Sequence, residues 1–154
     1  MQKSSPGFFT SNASGKGLVA AQNLDSNGNL TTNTPSNQVA RGGTVVFYLT
    51  GAGAVSGAPA DGQSPTASTP TPTKPIIAID GVQLTDAQIL YSGLGAFPGG
   101  WQINATVPQA VMPTASASVV VSYNGVASNI GGTTLQDGIT PGADVKITTT
   151  VAVK

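Results

Sequence analysis

From Trp101 to Pro108 the chain alternates without a break. Trp101, Ile103, Ala105 and Val107 are apolar; Gln102, Asn104 and Thr106 are polar. A period of two puts the first set on one face of a strand and the second on the other. Pro108 ends the run, because proline has no N–H to give a ladder. The only Trp of the chain therefore faces inward, where its large apolar surface is best buried. This pattern predicts a half-buried central strand.

The same reading finds further strands on both sides. Residues 18–24 form a short strand, followed by a turn at Asp25-Ser-Asn27-Gly-Asn29 and a return over residues 30–32. Residues 44–50 (Thr-Val-Val-Phe-Tyr-Leu-Thr) are the most apolar run, rich in β-branched residues with Gly on both sides, which predicts a strand buried on both faces. Residues 75–80 form a strand closed by the turn pair Asp80-Gly81, and Val82-Gln-Leu84 continues after it. Residues 87–91 fit a strand or a helical turn equally well. In residues 116–123, Ala117, Val119, Val121 and Tyr123 share a face, and Asn124-Gly125 is the strongest hairpin signal in the chain. At the end of the sequence Val145, Ile147, Thr149, Val151 and Val153 alternate with polar or small residues, predicting a long terminal strand over 143–154.

Strands spaced by turn signals with no convincing helix imply an all-β sandwich or barrel. About seven to nine strands fit an immunoglobulin-like β-sandwich best. The Cys…Trp…Cys spacing of antibody-type domains is absent, because the chain has no Cys. At 154 residues the chain is expected to be one domain, 1–154. Residues 1–14 form an N-terminal arm whose Phe8 and Phe9 dock on the sandwich or on a second copy. Residues 61–74 form a Ser/Thr/Pro-rich loop of extended character. Its hydroxyls Ser64, Thr66, Ser68, Thr69, Thr71 and Thr73 are candidate sites for O-glycosylation.

Composition narrows the chemistry. Charged residues make up 8% of the chain and cancel to a net charge of zero. No basic footprint for nucleic acid or anionic lipid exists. No apolar run reaches the roughly 18 residues of a membrane-spanning helix, and no signal-peptide h-region opens the chain. The chain has no His, the commonest general base and metal ligand. All six acids are Asp. Nucleophilic catalysis needs a base beside Ser or Thr, and Lys16, Lys74 and Lys146 fall in loops or on outward positions. No catalytic residue, cofactor site or metal site is assigned, and an enzyme is not expected. Zero net charge also weakens repulsion between copies, which favours self-association.

Several motifs are weaker than they look. Gly51-Ala-Gly53 follows an apolar strand, but Ser56 stands where a dinucleotide loop needs its third Gly, and no helix follows. Asp25-Ser-Asn27-Gly-Asn29 resembles the start of a calcium loop, yet Leu30 and Ser36 occupy its sixth and twelfth positions. A plain turn is the simpler reading. Lys146 is the nearest candidate for an isopeptide cross-link, but it alternates outward. The triplets at Asn12, Asn29 and Asn104 match the N-glycosylation pattern, which is common by chance in a chain of this composition.

A set of segments in order carries a family resemblance. They are Pro6-Gly-Phe-Phe-Thr10, Ala21-Gln-Asn-Leu-Asp25, Ala40-Arg-Gly-Gly-Thr44 with the strand running into Thr50-Gly-Ala-Gly53, and Asp61-Gly62. Ile79-Asp-Gly81, Ile89-Leu-Tyr-Ser-Gly-Leu94 and Trp101-Gln-Ile-Asn104 through Val107-Pro108 complete the set. Together they resemble an uncharacterised family of β-sandwich domains at the C-terminal ends of large secreted acidobacterial (Solibacter-type) proteins. The resemblance covers about residues 6–128. Here Gly95-Ala-Phe-Pro-Gly99 replaces the family's usual loop after Leu94, and a longer segment follows the Asn-Gly hairpin. The resemblance implies an extracellular, non-enzymatic module and supplies no catalytic residues.

Two functions are therefore expected from different classes. The first is an extracellular or cell-surface structural module, a fibre subunit whose terminal strand (Val145, Ile147, Thr149, Val151, Val153) completes a neighbour's sheet. Its partners would be copies of itself or neighbouring domains. The alternative is a carbohydrate-binding or adhesion domain that takes surface glycans. Most aromatic residues fall on inward positions, which disfavours the alternative, but Phe97 and Trp101 are placed to flank a shallow site.

Overall fold

The computed structural model describes residues 4–128 and 149–154. It contains strands β1 (Gly7–Phe8), β2 (Gly17–Leu18), β3 (Ala21–Leu24), β4 (Leu30–Thr32), β5 (Thr44–Thr50) and β6 (Ile76–Ile79). After these come β7 (Val82–Gln83), β8 (Ile89–Leu94), β9 (Trp101–Thr106), β10 (Thr114–Tyr123), β11 (Val126–Ala127) and β12 (Thr149–Val153). The only helical element among the described residues is a single 3-10 turn at Asp86–Gln88. The strands form two sheets. The first runs β4-β3-β5-β9-β8, with β1 also on β5; the second runs β2-β12-β10-β6-β7, with β11 on β10. One contiguous core lies between them, so the fold is a β-sandwich.

Among the described residues there are twelve strands rather than the seven to nine expected, and one of the added strands arises because the chain changes sheet inside what reads as one strand. Residues 18–24 split at Val19 and Ala20. β2 pairs in parallel with β12 in the second sheet, while β3 pairs with β5 in the first. The ambiguous segment 87–91 resolves into the end of the 3-10 turn and the start of β8.

The central strand is as the alternation requires. Along β9 buried and half-buried residues alternate from Trp101 to Thr106, and β9 lies between β5 and β8. Trp101 is 1% exposed. Its ring packs against Tyr123 of β10, with centroids 5.2 Å apart, so this pair bridges the two sheets. Its indole N–H donates to Ser92 Oγ at 3.0 Å, and Ser92 Oγ lies 2.8 Å from Thr71 Oγ1. A buried indole N–H needs such a partner, since leaving it unpaired costs about 1–3 kcal/mol.

The two hairpin signals at Asp80-Gly81 and Asn124-Gly125 have positive φ at both positions. That is the type I′ geometry, whose twist matches the strands it joins. Ile79 accordingly faces Val82, and Tyr123 faces Val126. The N-terminal arm lies on its own sandwich. β1 pairs with the end of β5, and Phe8 meets Phe47 edge to face at 5.7 Å. Gly51 permits this approach: a Cβ there would lie 1.8 Å from the Ser5 carbonyl oxygen. Gly51, the first glycine of the stretch that suggests a nucleotide loop, thus serves backbone contact.

Within the terminal strand, Thr149, Val151 and Val153 face the core and are fully buried. Val145 and Ile147, like Lys146, lie outside the described residues. β12 is paired along both edges. β10 runs antiparallel on one side; on the other, β2 is followed by residues 39–41, whose bonds include Val39 N–H to the Ala152 carbonyl at 3.0 Å. Asn33 adds a side-chain clamp. Its Nδ2 donates to the Ala152 carbonyl at 2.8 Å, and its Oδ1 accepts from the Ala152 N–H at 2.9 Å. Asn33 is 1% exposed, although it directly follows the exposed strand β4.

Candidate functional site

The outer face of the first sheet collects the polar half of each alternating pattern. Cross-strand register sets Gln22 beside Val46 and Val46 beside Asn104, while Tyr48 stands beside Gln102. Tyr48 donates its hydroxyl to Gln22 Oε1 at 2.5 Å. Partial burial pushes the Tyr48 phenol above its ordinary value of 10.0. Gln102 Nε2 donates to Asn104 Oδ1 at 2.8 Å. Gln102 Oε1 and Asn104 Nδ2 therefore remain unspent among the described residues.

Apolar side chains rise on both sides of this row. Phe9 is 49% exposed and Leu30 47%; opposite them Phe97 is 70% exposed beside Pro98. With Tyr48 and Gln102 they enclose a cleft of about 680 Å3. This lies within the range of about 300–1,000 Å3 usual for small-molecule sites. The cleft is not lined by any Lys, Arg or Asp. Its chemistry is that of aromatic rings and amides, with no group set for acid–base work. Among the described residues no cluster of three metal-ligating side chains occurs.

The sequence-predicted positions fall as follows. Phe8 and Phe9, adjacent in an extended strand, point to opposite faces: Phe8 enters the core and Phe9 edges the cleft. Phe97 is exposed. Trp101 is corrected: it lies under the cleft floor, held in the core by Ser92 and Tyr123, and cannot act as a surface platform. Inward aromatics are fewer than the alternation suggests, because Phe9 and Phe97 point out and Tyr48 and Tyr91 are half-buried.

The Ser/Thr/Pro segment is not a free loop along its whole length. Ser64, Thr66, Ser68 and Thr73 are exposed. Thr69 and Thr71 are buried and are corrected as glycan sites. Thr71 N–H donates to the Ser92 carbonyl at 2.8 Å, and Leu94 N–H donates to the Thr69 carbonyl at 2.9 Å. This stretch covers the open edge of β8, a position a bare strand would leave sticky. Gly93 makes the approach possible, since a Cβ there would lie 2.4 Å from the Thr69 carbonyl oxygen.

The turn at Asp25 uses its own carboxylate. Oδ2 accepts from the Asn29 side-chain amide, and Oδ1 from the Asn29 and Asn27 backbone N–H groups. These bonds, the Asn29 side chain first, hold the Asp25 carboxyl below its ordinary value. The oxygens a cation would need are engaged in a plain turn. Lys16 and Lys74 are exposed, and Lys74 donates to the Asp86 carbonyl at 2.7 Å. The cleft depends on Phe9, Gln22, Leu30 and Tyr48, which sequence reading did not assemble. Their signal was the polar phase of β3 and β5, whose register with β9 becomes visible only in the fold. Compared with family models, with curated proteins and with solved structures, the chain matches none.

Proposed function

We propose that this chain is a non-catalytic, extracellular, immunoglobulin-like module that binds a neutral glycan in the cleft between Phe9 and Phe97. The observation that carries the reading is the pairing of exposed rings with the unspent amide oxygen of Gln102 in an uncharged cleft. A sugar ring has an apolar C–H face that stacks on an aromatic ring. Its hydroxyls donate and accept, which suits Gln102 Oε1 in the cleft and Asn104 Nδ2 in the adjoining hollow beside β8. The near absence of charge across the chain favours a neutral ligand over an ionic one. The resemblance to Solibacter-type secreted domains supports the extracellular setting.

The test is titration of the folded chain with neutral oligosaccharides, followed by backbone and side-chain amide NMR. Shifts concentrated at Gln22, Tyr48, Gln102 and Phe97 are expected. The double variant Phe9→Ala/Phe97→Ala should weaken binding about tenfold or more, equivalent to about 1.4 kcal/mol. A glycan survey with no neutral ligand bound would sink the reading.

One observation favours the second reading, a self-assembling subunit joined by strand donation. β12 occupies a slot with ladder partners on both edges, and a second copy could supply the same strand to the same slot. Donation would then be an exchange of a strand that already has a place in its own sheet. Light scattering of the chain with and without residues 149–154 separates the outcomes. Oligomers that vanish while the core stays folded support donation; a monomer that unfolds on truncation removes it.

A further inference from the structure

We infer that the ligand is a linear neutral polysaccharide that passes around loop 95–100 and fills more than one subsite. This rests on the glycan reading above and names the kind of glycan. Two further depressions adjoin the cleft, and all three border the same loop. On its far side lies a hollow of about 790 Å3 under segment 51–65, and beside β8 lies a smaller one of about 390 Å3 edged by Tyr91. Phe97 and Pro98 line both larger hollows, so they form the saddle between them. Gln102 is shared between the cleft and the smaller hollow. A compact ligand needs one hollow of this size; a chain molecule uses adjoining ones.

The far hollow has the chemistry to continue the same ligand. Its wall is built from Gly and Ala, which leaves backbone accessible. Gly53 and Ala54 spend neither N–H nor C=O on any partner among the described residues, so both groups are open to sugar hydroxyls. Asp61 is the single charged residue bordering any of the three hollows. A carboxylate accepts bonds from hydroxyls and repels acidic sugars, which selects a neutral chain. The saddle is preformed: Gly95 N–H donates to the Gly100 carbonyl at 2.9 Å, and Gly100 N–H to the Phe97 carbonyl at 3.0 Å. A rigid saddle loses little freedom on binding.

Calorimetric titration of the full chain with cello-, malto- and xylo-oligosaccharides, disaccharide to hexasaccharide, tests this, with polygalacturonate as the acidic counterpart. One neutral series should gain about tenfold or more in affinity from the shortest to the longest member, because linked subsites act at high effective concentration. Phe97→Ala should remove most of that gain. Phe9→Ala and Asp61→Ala should each weaken the hexasaccharide, and only one of the two should weaken the disaccharide. Equal affinity at every length overturns the polymer inference and leaves the glycan reading standing. No binding in any neutral series overturns both. Tighter binding of polygalacturonate than of every neutral series overturns the assignment of a neutral chain.

Discussion

Phe97 lies within the tight loop 95–100 and Trp101 directly follows it, and the structure treats them oppositely. Trp101 is sealed between the sheets, its ring on Tyr123 and its N–H on Ser92. Phe97 sits on top of the loop with 70% of its surface in solvent. An isolated exposed ring would be unremarked. This one shares a cleft with Phe9, Tyr48 and two amides. The difference teaches that aromatic count says little about a binding face; the phase of each ring relative to the strand beside it decides its role. The region below the loop is buried and paired, and the region above it leaves rings and an amide in solvent.

That division can be broken experimentally. Trp101→Ala should have the largest effect on folding, about 3–5 kcal/mol, the usual loss for a large buried ring. Chemical denaturation reads it directly. Asn33→Ala should come next. It strands the buried N–H of Ala152, whose carbonyl keeps the Val39 N–H, and should cost about 1–3 kcal/mol. Phe97→Ala should change stability by no more than about 0.5 kcal/mol while weakening glycan binding. If Phe97→Ala instead unfolds the chain, the loop belongs to the core and the division is wrong.

The smallest effect concerns pH. The Asp25 carboxyl is held below 3.8 by the Asn29 side chain and the turn's N–H groups. Its contribution to stability is therefore present above the unfolded value and is lost as pH falls through the lowered folded value. The group is fully exposed, so the change should be slight. NMR titration of the Asp25 carboxyl should show a midpoint below 3.8, and Asn29→Ala should move it back toward that value.

Much of the sandwich was legible because its signals are local. The alternation in β9 names every buried residue from Trp101 to Ala105, and Asn124-Gly125 names its turn. Val119, Val121 and Tyr123 face inward as their spacing requires. What sequence could not give was contact across long separations. Asn33 reads as loop because its partner Ala152 lies 119 residues away. Thr69 and Thr71 read as a free Ser/Thr/Pro stretch because nothing nearby announces the edge of β8. The cleft failed for the same reason: Phe9, Tyr48 and Phe97 come from three distant segments, and only the sheet brings them together.

The clamp on β12 also bears on how the molecule comes together in time. Every neighbour of that strand is remote in sequence, from β2 and Asn33 near the start to β10 across an intervening segment. Contacts of such separation form late, since the chain must lose the entropy of a large loop before they reward it. Until β12 arrives, β2 and β10 present open backbone edges around a gap where Val151 and Val153 belong. Open edges of that kind pair readily with another chain, so removal of β12 is expected to promote aggregation.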